Sequence, residues 1–153
     1  MKAANTAMVR TDRETYVSDR HVRFDIDATD EAISYFVRED YLPLKAFTTF
    51  VNFPDCGQVW NPFLLESYCR RFSRRFRFDS ASVNLGNIGA VIRKNCLMNY
   101  VDIVVDAIVK SGVSLRDDDV GRFLIDSGYA GKITAAKLGE VMGKAKAVRK
   151  RRG

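Results

Sequence analysis

The chain has a single histidine, His21, in 153 residues. That excludes a metal centre built from several imidazoles. Its three cysteines, Cys56, Cys69 and Cys96, form an odd, widely spaced set with no C-x-x-C pair. Neither a disulfide framework nor a zinc signature fits that pattern, and reduced, partly buried thiols suit an intracellular protein. Three prolines leave little room for long linkers. No apolar run approaches the roughly 20 residues that span a bilayer, and residues 1–20 lack the apolar centre of a secretion signal. No phosphate-loop pattern G-x-x-x-x-G-K-[ST] and no dinucleotide pattern G-x-G-x-x-G occurs. Asp25 and Asp27 have no third ligand beside them, and Asp117, Asp118 and Asp119 fit the first turn of a helix, where acids are favoured electrostatically. The expectation is a protein that is not an enzyme, with no cofactor, no metal and no membrane partner. It is expected in the cytoplasm, or in the nucleus of a eukaryote.

What the chain does have is apolar mass and positive charge. Hydrophobic residues make up 46% of it, enough for one domain with a real core. The net charge of +6 and pI near 9.4 favour an anionic partner, nucleic acid or an acidic protein surface.

The hydrophobic periods predict a mainly α fold: a compact bundle of about six helices, preceded by a short N-terminal strand or extended segment. Residues 1–20 read as a flexible arm, 21–143 as a single helical domain and 144–153 as a basic tail. The alternation Val22-Arg23-Phe24-Asp25-Ile26-Asp27 supplies the strand or extended segment. Thr29-Asp30-Glu31 opens a first helix, and Pro43 can open a second. Asn61 and Pro62 give the clearest start signal, for a helix running to about Phe76. A further helix is expected over about 84–94. Others are capped by Asn99 (ending before Gly112), loaded by Asp117–Asp119 (ending near Gly128) and capped by Thr134.

The arginine run from Cys69 to Asp79 is the densest signal. On the expected helix Leu65, Tyr68, Phe72 and Phe76 share one stripe, with Arg70, Arg74 and Arg77 opposite and Arg71 and Arg75 on its flanks. Guanidinium groups so placed suit phosphates, or they pair with the chain's own acids. On the next helix Gly86 and Ala90 are small enough for close approach, and Asn84, Asn87, Arg93 and Lys94 are polar groups that could meet phosphates or base edges. The same small residues would also suit a core helix with a close neighbour.

Together, Leu65-x-x-Tyr68 in the first helix and Val83-Asn84, Gly89 and Ile92-Arg93 in the second resemble the helix-turn-helix of winged-helix domains of the regulatory factor X type. The resemblance covers less than a quarter of the chain. It implies a helix-turn-helix-like pair, with Asn84, Arg93 and Lys94 at the DNA. After Cys96 an apolar helix stands where an Arg/Gly-rich wing hairpin would be.

The chain ends in a basic run without an acid, including Lys146, Arg149, Lys150, Arg151 and Arg152. Such runs serve as phosphate-binding arms or as solubilising tails. The expected function is therefore nucleic-acid binding of weak or moderate specificity, double-stranded DNA ahead of RNA, through these cations. The alternative is a small helical adaptor or self-assembling protein, whose basic helix docks on an acidic partner or on a second copy.

Overall fold

A computed structural model describes residues 8–81 and 88–152. Among them are five α-helices and five short strands in two antiparallel sheets, so the expected mainly helical six-helix bundle is not what forms. A hairpin of β1 (Met8–Arg10) and β2 (Tyr16–Ser18) comes first, with Val9 buried beneath it. Helix α1 (Ile26–Ser34) begins earlier than Thr29-Asp30-Glu31 suggests: Asp25 is its N-cap, accepting from the Ala28 amide at 3.0 Å. Thr29 and Asp30 are then inside the helix and buried. Residues 22–25 form neither helix nor strand, and Phe24 lies on the core against Trp60, Tyr68 and Phe72.

Strand β3 (Tyr41–Pro43) follows, with proline at its last position on a sheet edge, where no ladder donor is needed. Pro43 opens only a single 3₁₀ turn, Leu44–Ala46. Helix α2 (Pro62–Arg71) has the expected start: Asn61 caps it through the Leu64 amide at 3.0 Å, and Pro62 occupies the first turn. Its end is not the expected one. The chain leaves the helix after Arg71 and enters β4 (Phe76–Asp79).

Strand β5 (Ala90–Arg93) lies between β3 and β4, antiparallel to both, with Val91 opposite both Leu42 and Phe78. A helix over 84–94 is therefore excluded across Ala90–Arg93, and with it the helix-turn-helix-like pair. The residues of the winged-helix resemblance at Ile92 and Arg93 sit on a strand. Asn84 and Asn87 lie outside the described residues.

The remaining helices are α3 (Tyr100–Ser111), α4 (Asp117–Ser127) and α5 (Ala135–Arg152). Asn99 caps α3 through the Asp102 amide, and left-handed Gly112 and Gly128 close α3 and α4. Thr134 caps α5 through the Lys137 amide at 3.2 Å. The basic run is the end of that helix.

The three-stranded sheet separates two cores. Phe76, Phe78 and Val91 turn toward α1, α2 and an aromatic group containing Phe47, Phe53 and Trp60. Ala90 and Ile92 turn toward α3, α4 and α5, meeting Ile103, Ile108, Leu124 and Met142 among others. Strand β5 is thus buried on both faces, which is why it reads as a continuous apolar run and not as an alternation.

Candidate functional site

A carboxylate inside the protein decides where the arginines go. Asp30 is 1% exposed, and its two oxygens accept from the Tyr68 hydroxyl (2.8 Å), the Ser73 hydroxyl (2.6 Å) and the Arg74 and Arg75 amides (3.0 and 3.2 Å). The Ser73 oxygen in turn accepts from the Phe76 amide at 2.9 Å. These bonds offer the backbone of residues 73–76 an alternative to another helical turn, and α2 stops. From there Phe76 and Phe78 point inward while Arg77 and Asp79 point away, a period of two.

The five arginines are consequently split among three settings, each with a partner. Arg70, on α2, bonds Glu66 at 2.9 Å and lies 4.7 Å over the Phe78 ring. The other oxygen of buried Glu66 has no hydrogen-bond partner among the described residues. Arg71 grips Asp19 with both terminal nitrogens (2.7 and 3.1 Å) and also donates to the Met8 carbonyl, tying the hairpin to α2. Arg77 donates from one nitrogen to the carbonyls of Cys96 (3.0 Å) and Met98 (2.8 Å). These three hold the fold together and do not share one outward helix face. Arg74 and Arg75, in the turn, make looser pairs with Asp27 (3.5 Å) and Glu31 (3.3 Å), in which all four side chains stay well exposed.

Arg74 and Arg75 meet two other expected residues, and this is where a site forms. With Arg93, Lys94 and Asn95 they line an open cleft of about 280 Å³. The turn at 72–75 makes one wall and the turn after β5 the other. The Lys94 amide donates to the Arg75 carbonyl (2.9 Å), extending the β4–β5 ladder, and the Cys96 amide closes its turn on the Arg93 carbonyl (2.9 Å). Arg93 donates to the Val37 and Glu39 carbonyls, and the Lys94 ammonium to the Ser73 carbonyl. Neither has a carboxylate partner among the described residues. Their positive charge is positioned by neutral acceptors and is not cancelled.

The basic end of α5 is joined to this region by a chain of contacts. Glu39, whose carbonyl holds Arg93, binds the Lys110 ammonium through its carboxylate (3.2 Å). Lys110 also binds Asp106 (3.1 Å), and Asp106 binds Arg152 (3.1 Å) and the Tyr41 hydroxyl (2.7 Å). Burial alone would raise the Asp106 pKa, but the hydrogen bonds from Tyr41, Lys110 and Arg152 outweigh it and hold this carboxyl below its ordinary value. Arg149 is partly engaged, donating to the Ile108 carbonyl at 3.4 Å. Lys146, Lys150 and Arg151 are exposed, with no ion pair among the described residues.

Asn95 belongs to the cleft, yet nothing in its sequence context marks it. Asp30 reads in the sequence as an acid opening a helix, and nothing there marks its burial. Burial, then the acids Asp30 and Glu66, push the Cys69 thiol up and make it a poor nucleophile. Trp60 is not a free stacking platform: it is packed among aromatic rings, and its indole N–H donates to the Pro54 carbonyl at 2.7 Å. Among the described residues no three His, Cys, Asp or Glu side chains converge as cation ligands, and no helix is long and apolar enough to cross a membrane.

No protein-family model matches this chain, and no curated protein or solved structure matches it.

Proposed function

We propose that the protein binds nucleic acid through its phosphates, at the cleft of Arg74, Arg75, Arg93 and Lys94, with the exposed cations of α5 adding affinity. One observation carries this reading: two cations held by neutral groups and by no carboxylate among the described residues (Arg93 by two carbonyls and the Phe76 ring, Lys94 by one carbonyl), beside two arginines in exposed pairs. Exposed pairs of that kind contribute only about 0–1 kcal/mol, so a phosphate can displace the carboxylate at little cost. Arg70, Arg71 and Arg77 leave the binding set: Arg70 and Arg71 are paired with Glu66 and Asp19, and Arg77, 4.0 Å from Asp79, is committed to the Cys96 and Met98 carbonyls. The preference for DNA over RNA rested on a helix-turn-helix and lapses with it, since phosphate contacts do not read base identity.

The test is a titration of the full chain with a labelled 20-base-pair duplex, DNA and RNA in parallel, across salt concentrations. The four cleft cations alone contribute about −3 to −4 to the slope of log K against log salt, and the α5 cations steepen it further. The double variant Arg74→Gln, Lys94→Gln is expected to flatten that slope by about two while keeping the wild-type melting temperature. An unchanged slope in a folded variant sinks the assignment of the cleft.

A competing arrangement has one specific support. Asp117 and Asp118 at the start of α4 are exposed and have no ion pair among the described residues, so the free cations of α5 could dock on a second copy. Gel filtration at rising protein concentration separates the two. A dimer that dissolves in salt, with no nucleic-acid binding, favours assembly.

A further inference from the structure

Next to the cation cleft the chain displays a bare leucine. Leu97 is 93% exposed, the most exposed large hydrophobic side chain among the described residues. It stands two residues beyond the cleft residue Asn95, so their Cα atoms are within about 7 Å. Its neighbours are fixed on both sides. Cys96 is buried, Met98 packs on the core beneath α3, and one guanidinium nitrogen of Arg77 bonds the carbonyls of both. Asn99 then caps α3. Leu97 is therefore held out from a clamped loop, not left on a loose one.

Single exposed apolar side chains are common and usually need no explanation. Here the rigid support and the flanking charge together give one. Resting on the phosphate-binding reading above, we infer that Leu97 is a wedge that enters a DNA minor groove and partly unstacks one base step, while Arg74, Arg75, Arg93 and Lys94 hold the phosphates beside it. Apolar wedges of this type kink the duplex by roughly 20–90°. The cost falls on the DNA, so flexible TA steps are favoured over stiff A-tracts. The role of Arg77 is to position the loop. It is spent on carbonyls because the loop must be stiff to push.

The experiment uses the full chain and a 20-base-pair DNA duplex with a central TA step, end-labelled for energy transfer and carrying 2-aminopurine at that step. Wild-type protein is expected to raise both the transfer efficiency and the 2-aminopurine fluorescence on binding. Leu97→Ser should abolish both signals and weaken binding several-fold, with the salt slope unchanged, because no phosphate contact is lost. Leu97→Phe should retain both signals. Since the side chain is in solvent, both variants should melt with the wild type. Salt-dependent binding without a bend, or a bend that survives in Leu97→Ser, overturns the wedge and leaves the phosphate-binding reading intact. No binding to duplex at low salt overturns both. Leu97-dependent binding to vesicles of anionic lipid, with no bend in DNA, would assign the leucine to a membrane surface instead and also overturns the wedge.

Discussion

Single residues decide more here than their types suggest. Asp30 satisfies two buried hydroxyls and two turn amides at once. Asp30→Ala takes the Ser73 hydroxyl's acceptor and both turn amides' acceptor, and leaves the Tyr68 hydroxyl only the Ile26 carbonyl (3.1 Å), so it should cost about 2–4 kcal/mol, read as a lower denaturant midpoint. It should also loosen the turn carrying Arg74 and Arg75, so nucleic-acid binding should weaken even where the variant is folded. A loss below 1 kcal/mol would mean that the turn does not depend on this carboxylate. Gly89 is a second such position. Its φ is +139°, and a Cβ there would fall 2.4 Å from the Phe78 ring and 2.7 Å from the Asp79 carbonyl. Gly89→Ala should therefore cost about 3 kcal/mol through strain and overpacking, measurable as a drop in melting temperature of roughly 6–12 °C. The reason for a glycine here is the close approach of β4. Arg70 also changes meaning. Reversing it to glutamate sets a second acid against buried Glu66, so it should destabilise the fold and cannot serve as a surface control.

At the scale of elements, the boundary between α2 and β4 is where period and partner compete. Leu65, Tyr68, Phe72 and Phe76 match a helical stripe, while Phe76-Arg77-Phe78-Asp79 also matches a strand. The strand wins because β5 supplies a ladder and Asp30 removes the amides a helix would use. The α5 helix gives the pH prediction at this scale. Asp106 ties Arg152 of α5 and Lys110 of α3 to Tyr41 of β3. Its pKa is depressed on folding, so its contribution is present above the unfolded value of about 3.9 and is lost as pH falls through the folded value. Asp106→Asn should lower stability at pH 7 by about 1–3 kcal/mol. The gap to wild type should close as pH drops below about 4, because protonation removes the same charge from the wild type. Thermal melts from pH 7 to pH 3 check this, and a gap that is constant with pH would show that the carboxylate charge plays no part.

For the whole molecule, the governing feature is a sheet with a core on each face. Strand β5 contributes Val91 to one core and Ile92 to the other, so neither can lose its packing without exposing the strand to the second. Unfolding should therefore be a single event. Trp60 fluorescence reports the aromatic core, and far-UV circular dichroism is dominated by the helices, three of which lie across the sheet. The two melting curves should coincide; two separated transitions would show that the faces unfold independently. The same architecture sets the surface charge. With acids of α1 drawn against Arg74 and Arg75, and Asp106 drawn against Lys110 and Arg152, the cations without an ion pair among the described residues include Arg93 and Lys94 of the cleft and Lys146, Lys150 and Arg151 of α5.

Local signals were enough to define the elements whose ends are determined by their own residues. Asn61-Pro62 starts α2, Asn99 and Gly112 bracket α3, Asp117 and Gly128 bracket α4, and Thr134 starts α5, because capping bonds and left-handed glycines act within a few positions of the helix they bound. Composition likewise determined that the chain is basic and that a multi-histidine metal site is impossible. The sheet, the end of α2 and the identity of the uncancelled cations were decided only in three dimensions. A four-residue strand has no capping chemistry of its own and exists only beside its partners. Whether an arginine faces a phosphate or a carboxylate depends on acids brought to it from some 40 or 50 positions away, as Asp27 and Asp19 are. Distance along the chain carries no trace of that meeting; folding around β5 creates it.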